Sequence, residues 1–67
     1  MRLRIEIDRH ENGRWIAAVV ELPGVLAGGN SRVEAVEKAK ELAWRVLEEM
    51  LERGEMEAEP ITFSFDR

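Results

Sequence analysis

Leu3, Ile5 and Ile7 alternate with Arg4, Glu6 and Asp8 at the start of the chain. A period of two predicts a strand over about residues 2–9 with one buried face. Glu11-Asn12-Gly13 follows. Asn-Gly marks a hairpin, because both residues tolerate positive φ. The return strand, about residues 14–21, has a different character. Trp15, Ala17 and Val19 are apolar on one face, and Ile16, Ala18 and Val20 on the other. Such a strand is expected to be covered on both sides. Trp15, just after the turn, can pack on either face. Leu22-Pro23-Gly24 then turns the chain, with Gly24 suited to the positive φ of a type II turn. Val25-Leu26-Ala27 predicts a short third strand over about residues 25–28, broken by Gly28-Gly29-Asn30.

The period then changes. Ser31-Arg32-Val33-Glu34 fits a capping box, in which the serine hydroxyl and the glutamate carboxylate each accept a free N–H of the first turn. A helix is predicted over about residues 32–53, ending at Gly54, a natural residue for the position after a helix. Glu34/Lys38, Glu41/Arg45 and Glu49/Arg53 are i,i+4 pairs in the favourable order. After Pro60, Ile61, Phe63 and Phe65 alternate with Thr62, Ser64 and Asp66, which predicts a last strand over about residues 60–66. The class is α+β in the order βββαβ. One domain spans 1–67: a small antiparallel or mixed four-stranded sheet with one long helix packed on one face.

Two features exceed what a helix on a sheet requires. On a helical projection, Val36, Ala39, Ala43, Val46, Leu47 and Met50 form the centre of the apolar stripe. Ala35 and Leu42 widen it on one side, and Val33, Trp44 and Leu51 on the other. The arc spans roughly 200°, twice the ~100° of an ordinary surface helix, and only Lys40 intrudes. A helix of about 22 residues also rises about 33 Å, longer than strands of six or seven residues. The end with Met50 and Leu51 is therefore expected to overhang the sheet. With the doubly apolar second strand, these features point to burial against another chain. Cover by the neighbouring loops and the Met56 segment is the plainer alternative.

Composition narrows the possibilities. The chain has 67 residues, 45% hydrophobic and 36% charged, which suits a small globule rather than a disordered tail. A core of this size offsets chain entropy only narrowly, so association is a common remedy. There is no cysteine, hence no disulfide or thiolate site. No apolar run approaches a membrane span and no leader pattern is present, so a cytoplasmic location is expected. The net charge of −4 argues against a general nucleic-acid binder. Arg2, Arg4, Arg9 and Arg14 cluster near one end, but without an aromatic stacking platform.

Catalytic chemistry finds little material. His10, the single histidine, sits beside the hairpin turn without cysteine partners for zinc. Ser31 is better used as a cap, and Ser64 has no histidine in prospect. Gly24, Gly28 and Gly29 lack the Lys-Ser/Thr and the spacing of a phosphate loop. Glu6, Asp8 and Asp66 fall on one sheet face, as in Mg²⁺-holding acid clusters. They point away from the helix, which then cannot supply a third ligand. The helix glutamates form a solvated face. Trp44, on the shoulder of the stripe, is either a binding anchor or a lid over the core edge.

The run Asn12-Gly13-Arg14-Trp15-Ile16-Ala17-Ala18-Val19, then Glu21-Leu22-Pro23-Gly24-Val25, then Gly29, Ser31, Glu34 and Ala35, resembles the HicB-like antitoxin family. The resemblance covers nearly the whole chain. It implies a truncated RNase H-like fold, with the fourth strand beside the first and without nuclease acids. Fuller members of that family self-associate, neutralise a small basic RNA-cleaving toxin of the HicA type, and carry a DNA-binding C-terminal segment. No such segment is visible up to Arg67, so the chain reads as a short standalone member. The family's motif residues are structural; here they are Asn12, Gly13, Pro23, Gly24, Ser31 and Glu34, to which Gly54 is added as the helix stop. The expectation is a non-catalytic protein-interaction module without cofactor or metal that binds a HicA-type toxin. The alternative is a standalone self-assembling homo-oligomer, dimer or tetramer. Candidate interface residues are Ile16, Ala18, Val20, Trp44, Met50 and Leu51.

Overall fold

A computed structural model describes residues 1–66, with the side chain of Asp66 outside the description. Strands β1 (Arg2–Arg9), β2 (Trp15–Val19) and β3 (Leu26–Gly29) precede helix α1 (Arg32–Glu52), and β4 (Thr62–Asp66) follows it. The four strands form one mixed sheet in the order β3-β2-β1-β4. β1/β2 and β2/β3 are antiparallel, while β4 lies parallel to β1, with Arg2 opposite Thr62 and Glu6 opposite Asp66. The class is the α+β arrangement that the hydrophobic periods predict. β2 and β4 are a residue or two shorter than the predicted spans, and β3 is shifted by one residue, running through Gly28 and Gly29, where the sequence predicts a break.

The turns follow from their residues. Gly13 has φ +87°, and Asn12 stays at negative φ. The hairpin is therefore not a two-residue turn with both central residues left-handed. The Gly13 N–H donates to the His10 carbonyl (3.0 Å) and the His10 N–H to the Arg14 carbonyl (2.8 Å). This is a three-residue loop, a type I turn completed by a left-handed glycine. The Asn12 Oδ1 accepts the Arg14 N–H at 3.0 Å, a side-chain bond that favours the longer loop. At the next turn Gly24 also has φ +87°, and the Val25 N–H donates to the Leu22 carbonyl at 3.0 Å, the type II pattern expected of Pro23-Gly24.

Both helix ends are closed. The Ser31 Oγ accepts the Glu34 N–H at 3.1 Å. The Glu34 carboxylate reaches one residue further back than in the usual box, to the Asn30 N–H at 2.6 Å. At the other end Glu55 N–H donates to the Met50 carbonyl and Gly54 N–H to the Leu51 carbonyl. With Gly54 at φ +75°, these are the two bonds of a Schellman motif.

The core lies between α1 and one face of the sheet. Leu3, Ile5, Ala17, Val19, Leu22 and Val25 meet Ala35, Val36, Ala39, Ala43 and Leu47. The helix lies over β3 and β2 and barely reaches β1. Gly29 explains the bias. A Cβ there would lie 2.7 Å from the Ala35 backbone nitrogen, so helix and strand approach backbone to backbone. The molecule is elongated, 41 × 18 × 16 Å, with a radius of gyration of 12.4 Å. A compact chain of this length has about 11 Å.

Candidate protein-interaction surfaces

The bias of the helix creates two uncovered apolar regions. The first is the flank between α1 and β4. Phe63 and Phe65 lie on the helix-facing side of β4, in register with Leu3 and Ile5. The helix does not extend over them. Phe63 is half-buried and takes the edge of the Trp44 ring, with centroids 5.9 Å apart and planes at 79°. Phe65 is 50% exposed, Trp44 46% and Leu51 45%. Three of the four aromatic residues of the chain therefore share this flank, an unusual concentration for a surface left to water.

The flank is polar in the electrical sense. Beside Phe65 lies a shallow groove lined by Arg32, Val33, Val36, Glu37 and Lys40. The Arg32 guanidinium sits 5.7 Å from the Phe65 ring centre, and the Lys40 Nζ 5.6 Å from it and 5.7 Å from that of Phe63. At the other end Leu47, Leu51, Met56 and Ile61 line a cleft rimmed by Glu48 and Glu59. Two cations and one acid mark one end (+1); at the other, two acids and the N-terminal ammonium paired with Glu59 leave −1. Met1 N donates to Glu59 Oε1 at 2.8 Å and to the Pro60 carbonyl at 2.7 Å, which fixes the entry to β4.

The second region is the open face of the sheet. Ile16 and Ala18 are half-buried there, and Leu26 and Val20 are exposed. Charged residues frame them, with Asp8 opposite Ile16 and Glu6 opposite Ala18. Nearby, Glu21 Oε1 accepts the Arg4 amide N–H at 2.8 Å, and its other oxygen meets the Arg4 Nε at 3.3 Å. The amide bond, helped by the guanidinium, holds the Glu21 carboxyl below its ordinary value, against the opposing effect of partial desolvation.

The six residues singled out from sequence thus separate into two groups. Ile16, Ala18 and Val20 line the open face; Trp44 and Leu51 line the helix flank. Met50 is half-buried against the core. The expectation that β2 is covered on both faces is not met within the single chain, which has one helix and therefore one covering layer. The overhang of the helix end is partly covered: Met56 packs against the core beside it, while Leu51 stays exposed. Phe63, Phe65, Lys40 and Arg32 were not among the sequence candidates. The alternation of residues 61–66 places both phenylalanines on the core face, and only the position of the helix leaves them open.

Among the described residues, no group of three or more His, Cys, Asp or Glu side chains is placed to hold a metal ion. Glu6 and Asp66 are in register on neighbouring strands, as the acid-cluster reading supposes, but His10 stays exposed at the hairpin and joins neither. No helix among the described residues is long and apolar enough to cross a membrane. The fold and its surfaces define a small α+β domain with one helix on a four-stranded mixed sheet. Comparison with family models, curated proteins and solved structures yields no match.

Proposed function

We propose that this chain is a non-catalytic protein-interaction module of the HicB antitoxin kind, which binds and neutralises a small basic RNA-cleaving toxin. The observation that carries this reading is the cleft formed by Trp44, Leu47, Leu51, Met56 and Ile61 with Glu48 and Glu59 on its rim. An apolar floor receives an anchor side chain, and an acidic rim favours a basic partner and speeds encounter with it. The resemblance of the 12–35 region to that family supplies the class of partner. The test uses the HicA-type toxin expected from a neighbouring reading frame. Addition of the full chain in equal amount stops RNA cleavage, and Leu51→Asp or Glu48→Lys restores it. No small basic frame nearby, or unchanged cleavage with the purified pair, overturns the reading.

A second reading is favoured by the open sheet face and the uncovered flank together. It is a self-assembling domain whose homo-oligomer is its main state. Burial against a second copy supplies the apolar area that a chain of this size lacks. Sedimentation of the full chain as a monomer at micromolar concentration would overturn it.

A further inference from the structure

The free edge of β4 has a specific shape and charge. The Thr62 N–H donates to the Met1 carbonyl at 2.9 Å, and the register pairs Arg2, Arg4 and Glu6 with Thr62, Ser64 and Asp66. In a parallel ladder alternate residues bond the neighbouring strand. The even-numbered residues therefore bond β1, and the N–H and C=O groups of Ile61, Phe63 and Phe65 point outward. β4 has no lysine, proline or bulge along Thr62–Asp66 to discourage a second strand.

The edge also runs between opposite charges. Arg32 and Lys40, with Glu37, lie at its Phe65 end (net +1), and Glu48 and Glu59, the latter paired with the N-terminal ammonium, at its Ile61 end (net −1). Reversing one copy against another brings each cationic end onto the other's acidic end. A two-fold axis is the one operation that satisfies both contacts at once with the same surface.

We propose that two copies of this chain associate through their β4 strands, antiparallel about an axis at Phe63, into one eight-stranded sheet. The proposal rests on the self-assembling reading and gives it a site and a geometry. Phe63 of each copy lies opposite its counterpart, and Phe65 lies opposite Ile61 of the other copy. The outward backbone groups of these three residues become a ladder. On the helix side, Trp44 and Phe63 of both copies join into one aromatic cluster that closes the uncovered flank. Arg32 and Lys40 of one copy face Glu59 and Glu48 of the other. Pairing about a two-fold axis stops at two copies along this edge. The opposite edge, β3, is four residues long and ends in Gly28-Gly29, a poor template for further strands.

The test is sedimentation and native mass measurement of the full chain, with amide hydrogen exchange read at Phe63 and Phe65. The expected result is a dimer in which exchange at both amides slows as concentration rises. Phe65→Pro removes an outward N–H that no strand of the monomer uses, so the variant stays folded and becomes monomeric. Arg32→Glu and Glu48→Arg each place like charges at both ends and weaken the dimer about tenfold or more. Mixed together, these two variants form a heterodimer of restored affinity, because each supplies the charge the other lost. A dimer whose Phe63 and Phe65 amides exchange as in dilute protein, or one that Phe65→Pro leaves intact, overturns the β4 pairing while keeping self-assembly. A monomer throughout overturns both. Toxin binding is read separately with Leu51→Asp, which leaves the β4 backbone and the existing charges at both ends of the edge unchanged.

Discussion

The two edges of the sheet carry side chains of opposite size. β3 offers Ala27, Gly28 and Gly29, and β4 offers Phe63 and Phe65. The helix settles over the small side. Its own small residues Ala35, Ala39 and Ala43 are completely buried there, so backbone meets backbone with little between. Over β4 the same approach is impossible, because two phenylalanine rings stand where the helix would lie. The aromatic edge is left to be capped by Trp44 and by the cations of Arg32 and Lys40. Close packing on one flank thus leaves binding surface on the other, since a single helix cannot cover four strands.

The largest expected effect tests the floor that both flanks share. Ile5 is fully buried beneath the helix and opposite Val19. Ile5→Ala should cost about 2–5 kcal/mol in urea unfolding. A loss well under that range would mean the flanks do not rest on a common core.

Next is a matched pair across the sheet. Gly29→Val drives side-chain atoms into the Ala35 backbone and should cost about 3 kcal/mol or leave the chain unfolded. Phe65→Thr on the opposite edge gives up exposed cation–ring contacts and should cost about 1 kcal/mol or less in dilute protein. Similar losses from the two substitutions would break the contrast between a packed and an open flank.

Smaller effects come from the helix ends. Ser31→Ala removes the acceptor of the Glu34 N–H and should cost about 1 kcal/mol. Gly54→Ala, at φ +75°, should cost about 1 kcal/mol through left-handed strain. Thermal unfolding of the two variants, compared at one concentration, measures both.

The smallest effect concerns pH. The folded state holds the Glu21 carboxyl below its ordinary value of 4.5. A depressed acid contributes stability above its unfolded value and loses it as pH falls through the folded one. Glu21→Gln should therefore narrow the difference in melting temperature between neutral pH and the acid range below about 4.5. The group is solvent-exposed, so the change is slight. An unchanged acid profile would place the Arg4–Glu21 contact outside the stability of the fold.

Most of the fold is legible in the order of residues. The alternation of Leu3, Ile5 and Ile7, the Pro23-Gly24 turn and the Ser31 and Gly54 stops are local signals, and each acts within a few residues. The loop at Asn12-Gly13 is legible as a hairpin but not as a three-residue one. The Asn12 side chain bonds the Arg14 N–H, and that bond selects the turn rather than left-handed tolerance alone. Trp44 and Leu51 are legible as surplus apolar positions. Phe63 and Phe65 are not, because an alternating strand reads as buried whether or not a helix lies above it.

What the chain determined by itself was the order and type of its elements and the ends of the helix, because periodicity, capping and glycine conformation are short-range properties. The width of the apolar stripe on α1 also followed from sequence. Which part of that stripe meets the sheet did not. A stripe of roughly 200° accepts several orientations. Tertiary packing chose among them, through the space that Gly29 leaves for the Ala35 backbone and that Phe63 and Phe65 deny. That choice depends on distances between residues far apart in the chain, and it decides where the uncovered surface lies.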